Sequence, residues 1–71
     1  MTEPATIRIN GEVAPLEVPT IAALLAARDI PVERRGIAIA LNGAVVPRAQ
    51  WDATRLRPGD AIEIVVARQG G

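Results

Sequence analysis

Residues 57–71 read RPGDAIEIVVARQGG, and the strand inside this stretch decides the fold. Pro58 and Gly59 occupy the positions that a type II turn prefers. From there Ile62 and Ile64 alternate with Glu63, so one face is apolar and the other polar, as in a half-buried strand. By the same alternation Val65 points outward and Val66 returns to the core side. Candidate partners for it lie earlier in the chain.

Those partners are legible. In TIRIN, Ile7 and Ile9 face one way and Arg8 the other. Asn10-Gly11 is the strongest short hairpin signal, because both residues tolerate the positive φ of a type I′ turn. EVAPLEV (12–18) returns with Leu16 and Val18 on the face of Ile7 and Ile9. Pro15 lacks an N–H, so this strand belongs at an edge of the sheet. Ile37, Ile39 and Leu41 alternate with Ala38 and Ala40, Asn42-Gly43 repeats the turn signal, and AVVP (44–47) gives a short return strand.

Between the two pairs the period changes. Ile21, Leu24, Leu25 and Arg28 share one side at helical spacing, and alanines fill the gaps. Thr20 is the expected N-cap, and Ile30-Pro31 the expected end. Glu33-Arg34-Arg35 reads as a solvated loop. RAQWDATRL (48–56) reads as a loop with one short helical turn, and Trp51 as a packing ring over one end of the core.

A single helix must cover a single sheet face, and a right-handed crossover lets the last strand insert beside the first, in parallel. The predicted fold is therefore α+β: a β-grasp with a mixed sheet of order 2-1-5-3-4 and one main helix packed across one face. Residues 1–67 are expected to form one domain, and 68–71 a flexible C-terminal tail ending in Gly-Gly.

Composition narrows the function. Eight arginines balance eight acidic residues, and Trp51 is the single aromatic, so the basic stripe and stacking rings of a nucleic-acid binder are missing. MTEPATIRIN has neither the basic start nor the apolar run of a signal peptide. The longest apolar run, IAALLAA, is far short of the ~20 residues needed to span a membrane. The expectation is a cytoplasmic domain that binds neither nucleic acid nor membrane. There is no Cys or His for a metal site. Ser, Cys, His, Lys and Tyr are all absent, which removes the usual nucleophiles and bases of catalysis. A non-enzyme is expected, with no catalytic residue and no bound cofactor of its own.

IALNGAVVPRAQW (39–51), LRPGDAIEIVVA (56–67) and the closing Gly70-Gly71 resemble the ThiS family of bacterial sulfur carriers, within the ubiquitin-like β-grasp proteins. The shared pattern falls on Asn42, Val46-Pro47-Arg48, Trp51, Leu56, Gly59-Asp60, Ile62 to Val65 and the glycine pair. Arg68 departs from it, standing where the family often carries a hydrophobic residue. The small subunit of molybdopterin synthase shares the ending, but its aromatic, Pro-containing approach to Gly-Gly is not found in VVARQGG.

The resemblance implies a protein co-substrate. An adenylyltransferase of the ThiF or MoeB type, akin to ubiquitin-activating enzymes, would use ATP to convert the Gly71 carboxylate to an acyl-adenylate. A persulfide donor would then lead to a thiocarboxylate at Gly71, and a thiazole synthase of the ThiG type would receive the sulfur for thiamine. Carriage for molybdopterin or cysteine synthesis, or a role as a ubiquitin-like modifier, are the alternatives. Chemically, the terminal carboxylate is ionised, with a reference pKa of about 3.3–3.7, and needs such activation to become an electrophile. Gly70 and Gly71 lack Cβ atoms and suit threading into narrow partner sites. Residues 68–71 span at most ~14 Å. Binding energy must come from the domain, and the sheet face away from the helix is the candidate docking surface, through Val65, Ala38 and Ala40, with Arg68 beside it.

Overall fold

The computed structural model describes residues 4–67. Five strands and one α-helix follow in the order β1 (Thr6–Ile9), β2 (Glu12–Pro15), α1 (Ile21–Ala27), β3 (Ile37–Leu41), β4 (Ala44–Val45) and β5 (Ala61–Val66), with a 3-10 turn at Arg48–Gln50 before β5. They form one sheet of order β2-β1-β5-β3-β4. β5 runs parallel to β1 and antiparallel to β3, as the reading of residues 57–71 requires.

Both Asn-Gly pairs make the expected turns. Asn10 and Asn42 sit at φ 51°, followed by Gly11 at 85° and Gly43 at 86°. The flanking registers, Ile9 opposite Glu12 and Leu41 opposite Ala44, are those of two-residue loops. Gly59, at φ 86°, completes the type II turn, with the Asp60 N–H donating to the Arg57 carbonyl at 3.1 Å. β2 is an edge strand. The Leu16 N–H donates to Ala5 at 2.9 Å, so the preceding Pro15 nitrogen faces the open side, where no donor is required. β2 ends at Pro15, earlier than expected, yet Leu16 and Val18 still pack half-buried against the core.

α1 is only seven residues long, and its first turn is fully served. The Ile21 N–H donates to Thr54 at 3.2 Å, that of Ala22 to Trp51 at 3.1 Å, and that of Ala23 to the Thr20 hydroxyl at 3.1 Å. The helix stops three residues before the expected Ile30-Pro31 boundary. Asp29 takes a left-handed φ of 60°, its N–H donates to Ala26, and the Ile30 N–H reaches back to Leu25 at 2.9 Å. That is a Schellman motif built without glycine, and the half-buried Ile30 supplies its usual apolar contact.

Ile21, Leu24 and Leu25 of the helix bury themselves against Ile7, Ile9, Ile37, Ile39, Ile62 and Ile64 of the sheet, and Trp51 and Leu56 belong to the same core. Arg28, placed on the helix's apolar side by spacing, is exposed. Trp51 is buried as expected, and its Nε1–H donates to the Val46 carbonyl at 2.9 Å. Each fully buried aliphatic side chain adds about 1.5–3 kcal/mol. Among the described residues no helix is long and apolar enough to cross a membrane.

The two turn asparagines also hold β5. Beyond Ile9, β1 turns away, and the Asn10 side chain continues the pairing in its place. Its Nδ2 donates to the Ile64 carbonyl at 3.2 Å, and its Oδ1 accepts from the Ile64 N–H at 2.8 Å. At the start of β5, the Asn42 Oδ1 accepts from the Ala61 N–H at 2.9 Å, while its Nδ2 donates to the Asp60 carboxylate at 3.0 Å. Asn10→Ala removes both bonds to Ile64 and leaves a residue with a Cβ at positive φ. It is expected to lower unfolding free energy by roughly 2–3 kcal/mol, and Asn10→Gly, which relieves the backbone alone, by less. Urea unfolding midpoints check this order; equal midpoints for wild type and Asn10→Ala would refute the pairing role.

Candidate functional site

The candidate site lies where β5 ends and the chain leaves the sheet. Ile64 is fixed by Asn10, and β3 runs alongside with Ile37 opposite Val66 and Ala38 opposite Val65. One residue on, the Ala67 N–H donates to the Gly36 carbonyl at 2.7 Å. Gly36 has a φ of 81°, and a Cβ there would stand 3.1 Å from the Ala67 oxygen and 3.3 Å from its Cβ. Any other residue would be strained by the backbone angle and would crowd Ala67. The root of the tail is therefore held on one side by an asparagine amide and on the other by a glycine carbonyl. Arg68, Gly70 and Gly71, the tail residues singled out from sequence, lie outside the described residues.

The face of the sheet away from α1 carries the expected docking residues. Val65 is 58% exposed and Ala38, its cross-strand partner, is exposed. Ala40 is half-buried rather than open, since it sits between Glu63 of β5 and Val45 of β4. Val45, 79% exposed on the same face, was missed from sequence. The signal was available: a two-residue turn at Asn42-Gly43 pairs Leu41 with Ala44, and hence Ala40 with Val45. Val13, at 66% exposure, pairs with Arg8 toward the far edge of this face. The sheet thus presents an apolar strip, Val65, Ala38, Ala40 and Val45, beside the tail's root, with Glu63 as the charge next to it.

The loop before Gly36 is also fixed. Arg48 lies over the Trp51 ring, 4.5 Å from its centroid, and its guanidinium donates to the carbonyls of Val32 and, at 2.7 Å, of Arg34. The tight turn at 48–50 puts residues three apart on one side, which is why Arg48 and Trp51 meet. Arg34 and Arg35 keep exposed side chains; only the Arg34 carbonyl is engaged by Arg48.

A mixed five-stranded sheet in the order 2-1-5-3-4, one helix across one face and a central last strand leading to the chain's end define a ubiquitin-like β-grasp protein. A family model described as the ThiS family matches residues 5–71, so the match runs through the glycine pair, and the chain belongs to the ThiS family. The sulfur carrier protein ThiS of Thermus thermophilus is 36% identical over 63 residues, covering 89% of this chain and 95% of that protein. The crystal structure of a thiamine biosynthesis protein (ThiS) from Geobacter metallireducens aligns with a TM-score of 0.75 at 28% identity, over 93% of this chain and 99% of that one. A solution NMR structure of a thiamine biosynthesis protein from Geobacter metallireducens gives a TM-score of 0.74 at 28% identity, over 93% and 87% of the two chains.

Gly36→Ala is expected to destabilise the domain by about 1–2 kcal/mol, through the positive φ and the crowded Ala67 oxygen. Its signature is local. Hydrogen exchange at the Ala67 amide should accelerate more than at the Ile64 amide, which Asn10 holds independently. Uniform acceleration across β5 would contradict a separate hold at Gly36.

Proposed function

We propose that this protein is the sulfur carrier of thiamine biosynthesis, a protein co-substrate whose reactive group is the Gly71 carboxylate. The observation that carries the proposal is the ThiS family match over residues 5–71, which includes Gly70 and Gly71. The curated relative named as a sulfur carrier and the structural relatives named as thiamine biosynthesis proteins support it.

The chemistry follows from the weakness of a carboxylate as an electrophile. A ThiF-type adenylyltransferase binds the carrier and ATP. A Gly71 carboxylate oxygen attacks the α-phosphorus, pyrophosphate leaves, and the carbonyl carbon becomes an acyl-adenylate. A persulfide then attacks that carbon through its terminal sulfur and expels AMP, giving an acyl disulfide. A thiol cleaves the disulfide, is itself oxidised to a new disulfide, and leaves a thiocarboxylate on Gly71. A ThiG-type thiazole synthase takes up this sulfur. The carrier's own contribution is placement. A fixed root directs the tail, and the apolar strip Val65, Ala38, Ala40 and Val45 supplies docking area. Ordering a glycine-rich tail in a partner's slot costs backbone entropy of roughly 1–2 kcal/mol per residue, which burial of that strip offsets.

Two tests follow. In a host lacking its own carrier, the full chain should restore growth without thiamine, and a variant lacking Gly71 should not, while both keep the same unfolding midpoint; rescue by the truncated chain would refute the role of the terminus. Val65→Asp places a charge in the strip. It should raise the KM for the carrier in adenylation at least tenfold, a loss of about 1.4 kcal/mol or more of binding, with the fold intact. An unchanged KM would remove Val65 from the docking surface. Higher-mass conjugates on other proteins, in place of growth rescue, would point to a modifier.

A further inference from the structure

We propose that Arg34 and Arg35 form a cationic docking patch at the base of the tail, fitted to an acidic rim around the slot that receives it in the adenylating partner. The inference rests on the function proposed above and adds a second contact, distinct in place and in chemistry from the apolar strip. Sequence alone reads Glu33-Arg34-Arg35 as a solvated loop, and three features of the structure change that.

The first is position. Gly36, the next residue, is hydrogen-bonded to Ala67 at 2.7 Å, so the two arginines immediately precede the point where the chain leaves the sheet. A surface that closes on Ala67 therefore also meets the loop that carries them. The second is order. Arg48, stacked on Trp51, donates to the carbonyls of Val32 and Arg34, and the Arg34 N–H donates to Pro31 at 3.0 Å. The loop is thus held through its backbone, and both guanidiniums are left exposed on a fixed base. A pre-ordered loop loses less freedom on binding than a mobile one. The third is charge. The chain is neutral overall, so net charge gives no steering toward a partner. A local pair of arginines beside the exit can orient the encounter so that the tail end arrives first, and arginine suits carboxylates through its planar, bidentate fork.

Arg55 and Arg57 supply an internal control. They are exposed and precede the start of β5, at the opposite end of the strand from Gly36. Reversing either pair to glutamate changes the net charge by the same amount. The measurement is ATP–pyrophosphate exchange by the ThiF-type adenylyltransferase of the same cells, with the full-length carrier varied at low and at high salt. Arg34→Glu/Arg35→Glu is expected to raise the carrier KM on the order of tenfold at low salt, with kcat retained and the effect shrinking as salt screens it. Arg34→Lys/Arg35→Lys, which keeps the charge and loses the bidentate fork, should fall between wild type and the glutamate pair, and Arg55→Glu/Arg57→Glu should match wild type. Unfolding midpoints confirm that the variants fold, as expected when only backbone atoms of the loop are used. Equal KM values for the two glutamate pairs would overturn the proposal. So would a rise in the KM for ATP in place of that for the carrier, which would assign the arginines to the nucleotide. Wild-type carrier that supports no exchange would refute the underlying function, an outcome separate from a variant that behaves as wild type.

Discussion

The structure depends on the insertion of one strand. β5 arrives last in the sequence and lies in the middle of the sheet, parallel to β1 and antiparallel to β3. Without it the chain is two hairpins and a short helix. Isolated hairpins are marginal in water, and a seven-residue helix is far below the length that holds itself together. Inserting Ile62 and Ile64 joins the two halves of the core. At 71 residues the whole domain has about 4–11 kcal/mol of stability to draw on, so losing this one strand would leave nothing folded.

That constraint explains the doubled Asn-Gly turns. Each glycine and asparagine serves its hairpin through positive φ, but each asparagine also reaches β5. An amide side chain offers both an N–H donor and a carbonyl acceptor, as a peptide unit does. Asn10 therefore extends the β1–β5 pairing past the point where β1 has turned. Asn42, with Asp60, fixes the start of the same strand. The hairpins consequently position the final strand, and through Gly36 and Ala67 they position the root of the tail. A carrier of this kind needs a rigid body up to the exit and freedom beyond it, and the described residues supply the first part.

Much of this was legible in the sequence because its signals are local. Alternation located the strands, Asn-Gly located the turns, and Pro15 placed β2 at an edge. The helix end was misplaced because Asp29 takes a conformation that composition assigns to glycine, and the Pro31 beyond it offers a louder stop signal. The hold on β5 was invisible for a different reason. The bond from Asn10 to Ile64 joins residues 54 positions apart, and no local pattern reports such contacts. Arg34 and Arg35 read as ordinary loop charges until the Gly36–Ala67 bond put them beside the exit. Ala40 read as exposed because alternation gives the face and not the neighbours: Val45 and Glu63 cover it in part.

The proposed reactive group is a single terminal carboxylate, and its chemistry can be read directly. The most direct measurement is high-resolution mass spectrometry of the carrier after incubation with its adenylyltransferase, ATP and a persulfide donor, with digestion after Arg68. The account predicts that the fragment Gln69-Gly70-Gly71 gains the mass of one sulfur in exchange for one oxygen, only when ATP is present. An unchanged fragment under those conditions, or sulfur found elsewhere in the chain, would contradict it.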